Sequence, residues 1–277
     1  MTQENPLQKY YRQPAIYINL PSAGKYYSVD AYLPTATGEI PVLPMSAKDD
    51  ISMRNADALM NGATTVDIIQ SCIPNILDAW KTPSIDIDAL LIAIRLASYG
   101  NKMEFDTACA KCNEELSYET DLGQVLGNIN IPDFEKPLEV NDLLIWFKPN
   151  KYSEMNDTNQ QKYQQQRLVK SITESNINEE QMIVQFKQAV NELTVSTISK
   201  LACFIDYIIT PDGTRVDDHE QIKEFVQNAD QKMYNAIKDH LSQINQEYSI
   251  RKIDIKCSAC GHEDHRTFQF EPSNFFG

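Results

Sequence analysis

The spacing of apolar side chains divides the chain into extended and helical stretches. Pro14 to Leu20 (PAIYINL) is mostly apolar and β-prone, and Pro21-Ser-Ala-Gly24 adds turn residues, so a short hairpin or strand pair is predicted there. Gly38 to Met45 is extended too, but its two prolines suit an edge strand or irregular chain. Ser46 stands where an N-cap belongs, with Asp49 in the first turn, and a mostly helical pattern runs from it to Gly100. Asn61-Gly62, Pro74 and Lys81-Thr-Pro83 break that pattern into three or four short helices. In the last, Ile87, Leu90, Leu91, Ile94 and Ala97 recur at helical spacing, and Ile92 and Ala93 widen the stripe. Ser84 is placed to cap this helix, Asp86 and Asp88 to favour its positive end, and Gly100 to close it. It is expected at the centre of the core.

Two extended pieces follow, Lys102 to Ala108 and Glu114 to Thr120, separated by little more than Cys109-Ala-Lys-Cys112. A further hairpin is expected over Pro137 to Pro149, turning at Asn141-Asp142. The chain then reads as strongly helical: Met182, Phe186, Val190 and Leu193 form one stripe, and Ile198, Leu201, Ala202 and Ile205 another. Thr210-Pro-Asp-Gly213 makes a turn, Asp217 with Glu220 resembles a capping box, and Met233, Ile237, Leu241 and Ile244 line a final long helix. Extended chain returns at Ile250. Five glutamines between Asn159 and Gln166 read as a solvated helix face, since Gln is a good helix former. The sequence shows no internal repeat of the solenoid or propeller kind.

With 277 residues, 42% of them hydrophobic, the chain is long enough for one large domain or two smaller ones around a real core. Its 39 acidic residues against 25 basic ones leave a formal charge of −14, which opposes polyphosphate and anionic membrane partners. The opening MTQENPLQKYYR lacks the pattern of a secretory signal, and the longest apolar run, Ala89 to Ile94, falls far short of the roughly 20 residues that cross a bilayer. A soluble chain made in a cytoplasm is therefore expected, and there clustered cysteines point to metal rather than disulfides.

Cys109 and Cys112 form one Cys-x-x-Cys, Cys257 and Cys260 another, with 144 residues between the pairs. Each pair lies at a turn between extended segments, the pattern by which a zinc ribbon supplies a tetrahedral four-sulfur site, and Gly261 accepts the positive φ often needed after such a turn. Independent redox motifs, core cysteines and an iron site of similar geometry are the competing readings. His262 and His265 are alternative ligands, although Cys260 and His262 are too close in sequence for a comfortable bite on one ion; supporting or surface roles suit them better. Cys72 and Cys203 read as core. A shared site would be a structural staple with no open coordination position, joining the end of the first third of the chain to its C-terminus across an insertion.

No catalytic pattern emerges. There is no Gly-x-Ser-x-Gly elbow, phosphate loop or Rossmann fingerprint, and His262-Glu-Asp-His265 lacks the i, i+4 spacing of a zinc-protease helix. His219 and His240 read as solvated surface. At the C-terminal end Phe268 and Phe270 share a strand face able to cover the ribbon, whereas Phe275 and Phe276 suggest docking onto a partner or back onto the core.

Leu20-Pro-Ser-Ala-Gly24 with Tyr26-Tyr27, Gly38-Glu-Ile-Pro-Val-Leu-Pro-Met45, Asn61-Gly62, Cys72 and Arg95-Leu-Ala-Ser-Tyr-Gly100 together resemble the baseplate proteins of T-even-like contractile-tail phages. Cys109-x-x-Cys112, Cys257-x-x-Cys260-Gly and the ending Phe270-Glu-Pro-Ser-Asn-Phe-Phe276 are similar to the same family. The likeness is concentrated in residues 14–125 and 250–277. It implies a structural or hub-assembly role in a virion tail, acting through other baseplate hub or tail proteins or further copies of the chain, and assembly in the cytoplasm of an infected bacterium.

The resulting expectation is an α+β protein with a small β-rich N-terminal part and a split four-cysteine zinc ribbon carrying an inserted helical domain. Its segments are 1–125 (N-terminal α+β domain with the first ribbon half), 126–249 (hairpin and helical insertion) and 250–277 (second ribbon half and aromatic tail). The metal ligands are Cys109, Cys112, Cys257 and Cys260, Phe275 and Phe276 are candidate partner anchors, and no activity, nucleic acid or membrane is expected. The alternatives are a zinc-ribbon module binding nucleic acid or a transcription partner, and a redox enzyme using one Cys-x-x-Cys. Neither is favoured: near the knuckles Lys111, Arg251, Lys252, Lys256 and Arg266 are matched by Glu114, Glu115, Asp254, Glu263 and Asp264.

Overall fold

The computed structural model describes residues 5–53, 62–157, 160, 197–248 and 252–267. The chain divides into two compact units, one of Met1–Ile131 with Tyr248–Gly277 and one of Pro132–Glu247. Its class is α+β: helices segregate from small antiparallel sheets.

In the first unit β1 (Ile16–Asn19) pairs antiparallel with β2 (Glu39–Val42), Ile18 opposite Ile40. The residues Pro21-Ser-Ala-Gly24 do not close a hairpin. Ala23, Gly24 and Tyr26 hold φ of 53°, 76° and 68°, so the chain turns repeatedly and β1 finds its partner fifteen or more residues on. Pro41 is tolerated because the sheet has two strands and leaves its outer edge unpaired.

Three helices build the core. At the start of α1 (Ala47–Met53), the Ser46 amide and hydroxyl each donate to Asp49 Oδ2 at 2.7 Å, and the Asp49 amide returns a bond to Ser46 Oγ at 3.3 Å. Gly62, at φ 76°, precedes α2 (Ala63–Cys72). The central helix α3 (Ser84–Tyr99) buries Ile85, Asp86, Ile87 and every residue from Ala89 to Ile94, which makes it apolar on all sides through its middle. Ser84 is its first residue and not its cap: Pro83 holds the cap position without a side-chain bond. Proline's fixed φ suits a helix entrance and removes a donor that would otherwise be unsatisfied.

Asp86 and Asp88 do not sit as exposed charges near a helix end. Asp86 is wholly buried and accepts the Ser22 amide (2.7 Å), the Ser22 hydroxyl (2.5 Å) and the Tyr27 hydroxyl (3.0 Å), tying the 20–27 turns to α3. Burial pushes its carboxyl up to about 6 against these three donors, which favour the charged form. Asp88 accepts the Tyr248 hydroxyl at 2.9 Å. A third tether comes from Arg12, which donates to Pro44 O (2.8 Å), Asp49 Oδ2 (3.1 Å), Ser71 O (2.8 Å) and Ser71 Oγ (2.7 Å). Cys72 is buried beside it.

After Gly100, at φ 86°, β3 (Lys102–Ala108) and β4 (Glu115–Asp121) form a separate two-stranded ribbon with Phe105 opposite Tyr118. Asp121 then caps α4 (Leu122–Leu126) by accepting from the Gly123 and Gln124 amides.

The second unit carries a four-stranded antiparallel sheet of β5 (Leu138–Val140), β6 (Leu143–Phe147), β7 (Ile205–Ile209) and β8 (Arg215–Val216), in that order. Asn141 and Asp142, at φ 49° and 62°, make the two-residue β5–β6 turn. The β7–β8 turn is closed by the Gly213 amide on Thr210 O at 2.8 Å. The expected 198–205 stripe is helical over 197–203, but Ile205 opens β7, because Ile205-Asp-Tyr-Ile-Ile209 is also a β-prone run that the sheet can use. Helix α5 (His219–Asn228) is capped by Asp218, one residue after the expected Asp217, and α6 (Gln231–Glu247) buries Met233, Ile237, Leu241 and Ile244. His219 is exposed, but His240 is half-buried with its ring 4.7 Å from Phe147, and burial lowers its pKa. The Met182 to Leu193 stripe lies outside the described residues, as does nearly all of the glutamine-rich patch.

The first unit is completed by β9 (Lys252–Lys256) and β10 (Glu263–Thr267), an antiparallel hairpin with Lys256 opposite Glu263.

Candidate metal centre

Both Cys-x-x-Cys pairs sit at hairpin tips, and the two tips are built alike. In the first, the Cys109 amide donates to Glu114 O at 2.9 Å and the Asn113 amide to Cys109 O at 2.9 Å. In the second, the Cys257 amide donates to His262 O at 2.8 Å and the Gly261 amide to Cys257 O at 2.9 Å. The residue after each second cysteine is left-handed, Asn113 at φ 58° and Gly261 at φ 68°. Glycine takes that conformation freely and asparagine is among the few other residues that tolerate it. This local chain reversal turns both sulfurs of a pair to the same side.

The consequence is a cluster of four sulfurs, Cys109, Cys112, Cys257 and Cys260, all within 4.8 Å of one another. Across the two tips Cys109 Sγ lies 3.7 Å from Cys260 Sγ, and Cys112 Sγ 3.6 Å from Cys257 Sγ. A tetrahedron with metal–sulfur bonds near 2.3 Å has edges of about 3.8 Å, so the spacing is compatible with four thiolates around one ion. The first cysteine of each pair is buried, Cys109 at 8% and Cys257 at 3% exposure, and the second is exposed.

Electrostatics favour a cation here. The Cys112 and Lys111 amides point at Cys109 and hold its thiol down to about 6, the Lys111 amide lying 3.4 Å from the sulfur. The Glu114 amide favours the Cys112 thiolate in the same way, but the Cys260 sulfur, desolvation and the Cys109 and Cys257 sulfurs outweigh it and push Cys112 up to about 12. A divalent ion beside the Cys112 sulfur would remove the repulsion that raises it. The all-sulfur donor set suits zinc or iron.

Among the described residues the cluster contains no histidine. His262 contributes its carbonyl to the tip, and its side chain lines a shallow gap with Thr107, Leu116, Tyr118 and Asp264. His265 stands in β10 opposite Asp254. Cys72 and Cys203 are outside the cluster: burial pushes the Cys72 thiol up to about 11 and raises Cys203 as well, which disfavours the thiolate at both. Phe268, Phe270, Phe275 and Phe276 lie outside the described residues. Sequence reasoning missed Asn113, although its place after Cys112 matches that of Gly261 after Cys260.

A family model described as T4 bacteriophage base plate protein matches residues 25–277, a span that includes both cysteine pairs. No curated protein and no solved structure matches the chain.

Proposed function

This chain belongs to the T4 bacteriophage base plate protein family, and from that premise we propose that it is a non-enzymatic structural or assembly component of the baseplate hub of a contractile tail. It works through contacts with other hub or tail proteins, further copies of itself included. It is stabilised by a zinc ribbon split between Cys109/Cys112 and Cys257/Cys260. The observation that carries this reading is the family match over 25–277 together with four sulfurs within 4.8 Å. Zinc is favoured over iron because a closed four-thiolate tetrahedron with a structural task needs no redox chemistry.

The formal charge of −14 supports basic faces on the partners, which such a surface would steer and select. Near the second tip Lys256 is paired with Glu263 at 2.8 Å, which disfavours a nucleic-acid face. No helix among the described residues is long and apolar enough to cross a membrane. Phe275 and Phe276 are proposed as partner anchors, and 126–249 as an insertion between an N-terminal domain, 1–125, and the second ribbon half, 250–277. The site of action is the virion tail, after assembly in the host cytoplasm.

Mass spectrometry of purified tails and of hub intermediates tests the role. Stoichiometric presence in tails makes the chain a structural component, and presence in intermediates alone makes it an assembly factor. Absence from both overturns the proposal.

A further inference from the structure

The four sulfurs join two hairpins of the first unit between which no strand pairing runs among the described residues. Among the described residues the β9–β10 hairpin pairs only with itself, and six of its ten strand residues are charged: Lys252, Asp254, Lys256, Glu263, Asp264 and Arg266. In the facing ribbon, Met103 is the one buried strand residue. Where the hairpins meet, the buried residues of the two tips are Cys109 and Cys257 themselves. Beside them Leu116 and Tyr118 of the ribbon and His262 and Asp264 of the hairpin line a common gap. The helical core, in contrast, is held by apolar burial and by the Arg12 and Asp86 tethers, all within residues 12–99. Tyr248, bonded to Asp88, anchors the chain just before the hairpin begins.

We propose that the metal is a detachable clasp. Bound, it holds residues 252–267 against the β3–β4 ribbon; removed, it frees that hairpin beyond the Tyr248 anchor and uncovers Leu116 and Tyr118, while α1–α3 stay folded. The inference rests on reading the four cysteines as a metal site.

Hydrogen exchange followed by mass spectrometry tests it on the full chain, zinc-loaded and after chelation under reducing conditions, with zinc content measured alongside. Peptides over 252–267 and 108–116 should exchange at least about tenfold faster once zinc is removed, while those over 84–99 change less than about twofold. Adding zinc back should restore protection. Joint loss of protection over 84–99 would make the metal a global staple and overturn the clasp, as would unchanged exchange over 252–267 after zinc is gone. Cys260→Ser, which alters an exposed ligand, must give the same regional pattern, and general unfolding of that variant also overturns the proposal. A full chain that carries no zinc and takes none up refutes the metal reading itself, and the clasp with it.

Discussion

Within the first unit, α3 and the two cysteine-bearing hairpins reach order by different means. Helix α3 buries Ile87, Leu90, Leu91, Ile92 and Ile94 among neighbours from the same unit, and each such side chain removed from water contributes roughly 1.5–3 kcal/mol. The β3–β4 ribbon exposes alternate residues, and the joint between its tip and that of β9–β10 converges on four cysteine sulfurs. One region is stable through its own apolar composition. The other, on the proposed metal reading, is stable only when a cation sits among its sulfurs. On that proposal a single compact unit combines an unconditional core with a conditional extension, and the two should respond to different perturbations.

The largest effect is expected at the conditional region. Cys109→Ser or Cys257→Ser should abolish stoichiometric zinc binding, a loss on the order of 10 kcal/mol of site free energy by comparison with small zinc modules. Elemental analysis and hydrogen exchange of 252–267 check this. Cys72→Ser should keep the metal, and zinc loss in that variant would dissolve the distinction between the regions. Next, Leu90→Ala in the helical core should cost about 2–5 kcal/mol of unfolding free energy, measured by denaturant titration, and leave zinc content unchanged. If it released zinc at native temperature, the two regions would be one cooperative block.

The third prediction concerns pH. The Asp86 carboxyl rises from 3.8 to about 6 on folding, so the folded chain holds that proton more tightly than the unfolded one. Its favourable contribution is therefore complete below about pH 4 and is lost as pH rises through 6, an effect of up to roughly 3 kcal/mol. Asp86→Asn should flatten this segment of the stability–pH curve relative to the parent chain, measured by denaturation between pH 4 and 7 with zinc content followed. An unchanged difference across that window would contradict the raised Asp86 carboxyl. The smallest effect is at the tips: Gly261→Ala should weaken the metal-bound hairpin by about 1 kcal/mol, through backbone strain alone, because nothing lies within 4 Å of the added Cβ. Asn113→Gly should relieve strain at the matching position of the first tip. Zinc affinity by competition titration distinguishes the two.

Local rules carried the sequence reading furthest where local chemistry decides. Ser46 with Asp49, the Asn141-Asp142 turn and the Met233 to Ile244 stripe could be read because each depends on residues within a few positions. The cysteine spacing likewise singled out four residues that the structure gathers within 4.8 Å. What stayed hidden depends on distant partners. The β1–β2 pairing was not legible because repeated left-handed turns after Leu20 redirect the chain. The joining of β7 to β6 was not legible because Ile205 fits a helical stripe as well as a strand. Asp86 and Asp88 look like ordinary acidic residues of a helix start until Ser22, Tyr27 and Tyr248 are seen to reach them. Arg12 carries no local signal, since its partners lie at Pro44, Asp49 and Ser71.

The central claim is that one ion sits among Cys109, Cys112, Cys257 and Cys260, and elemental analysis of the full chain purified under reducing conditions tests it most directly. About one zinc per chain is expected, lost in Cys109→Ser and kept in Cys72→Ser. A parent chain that is folded, free of metal and indifferent to added zinc would contradict it.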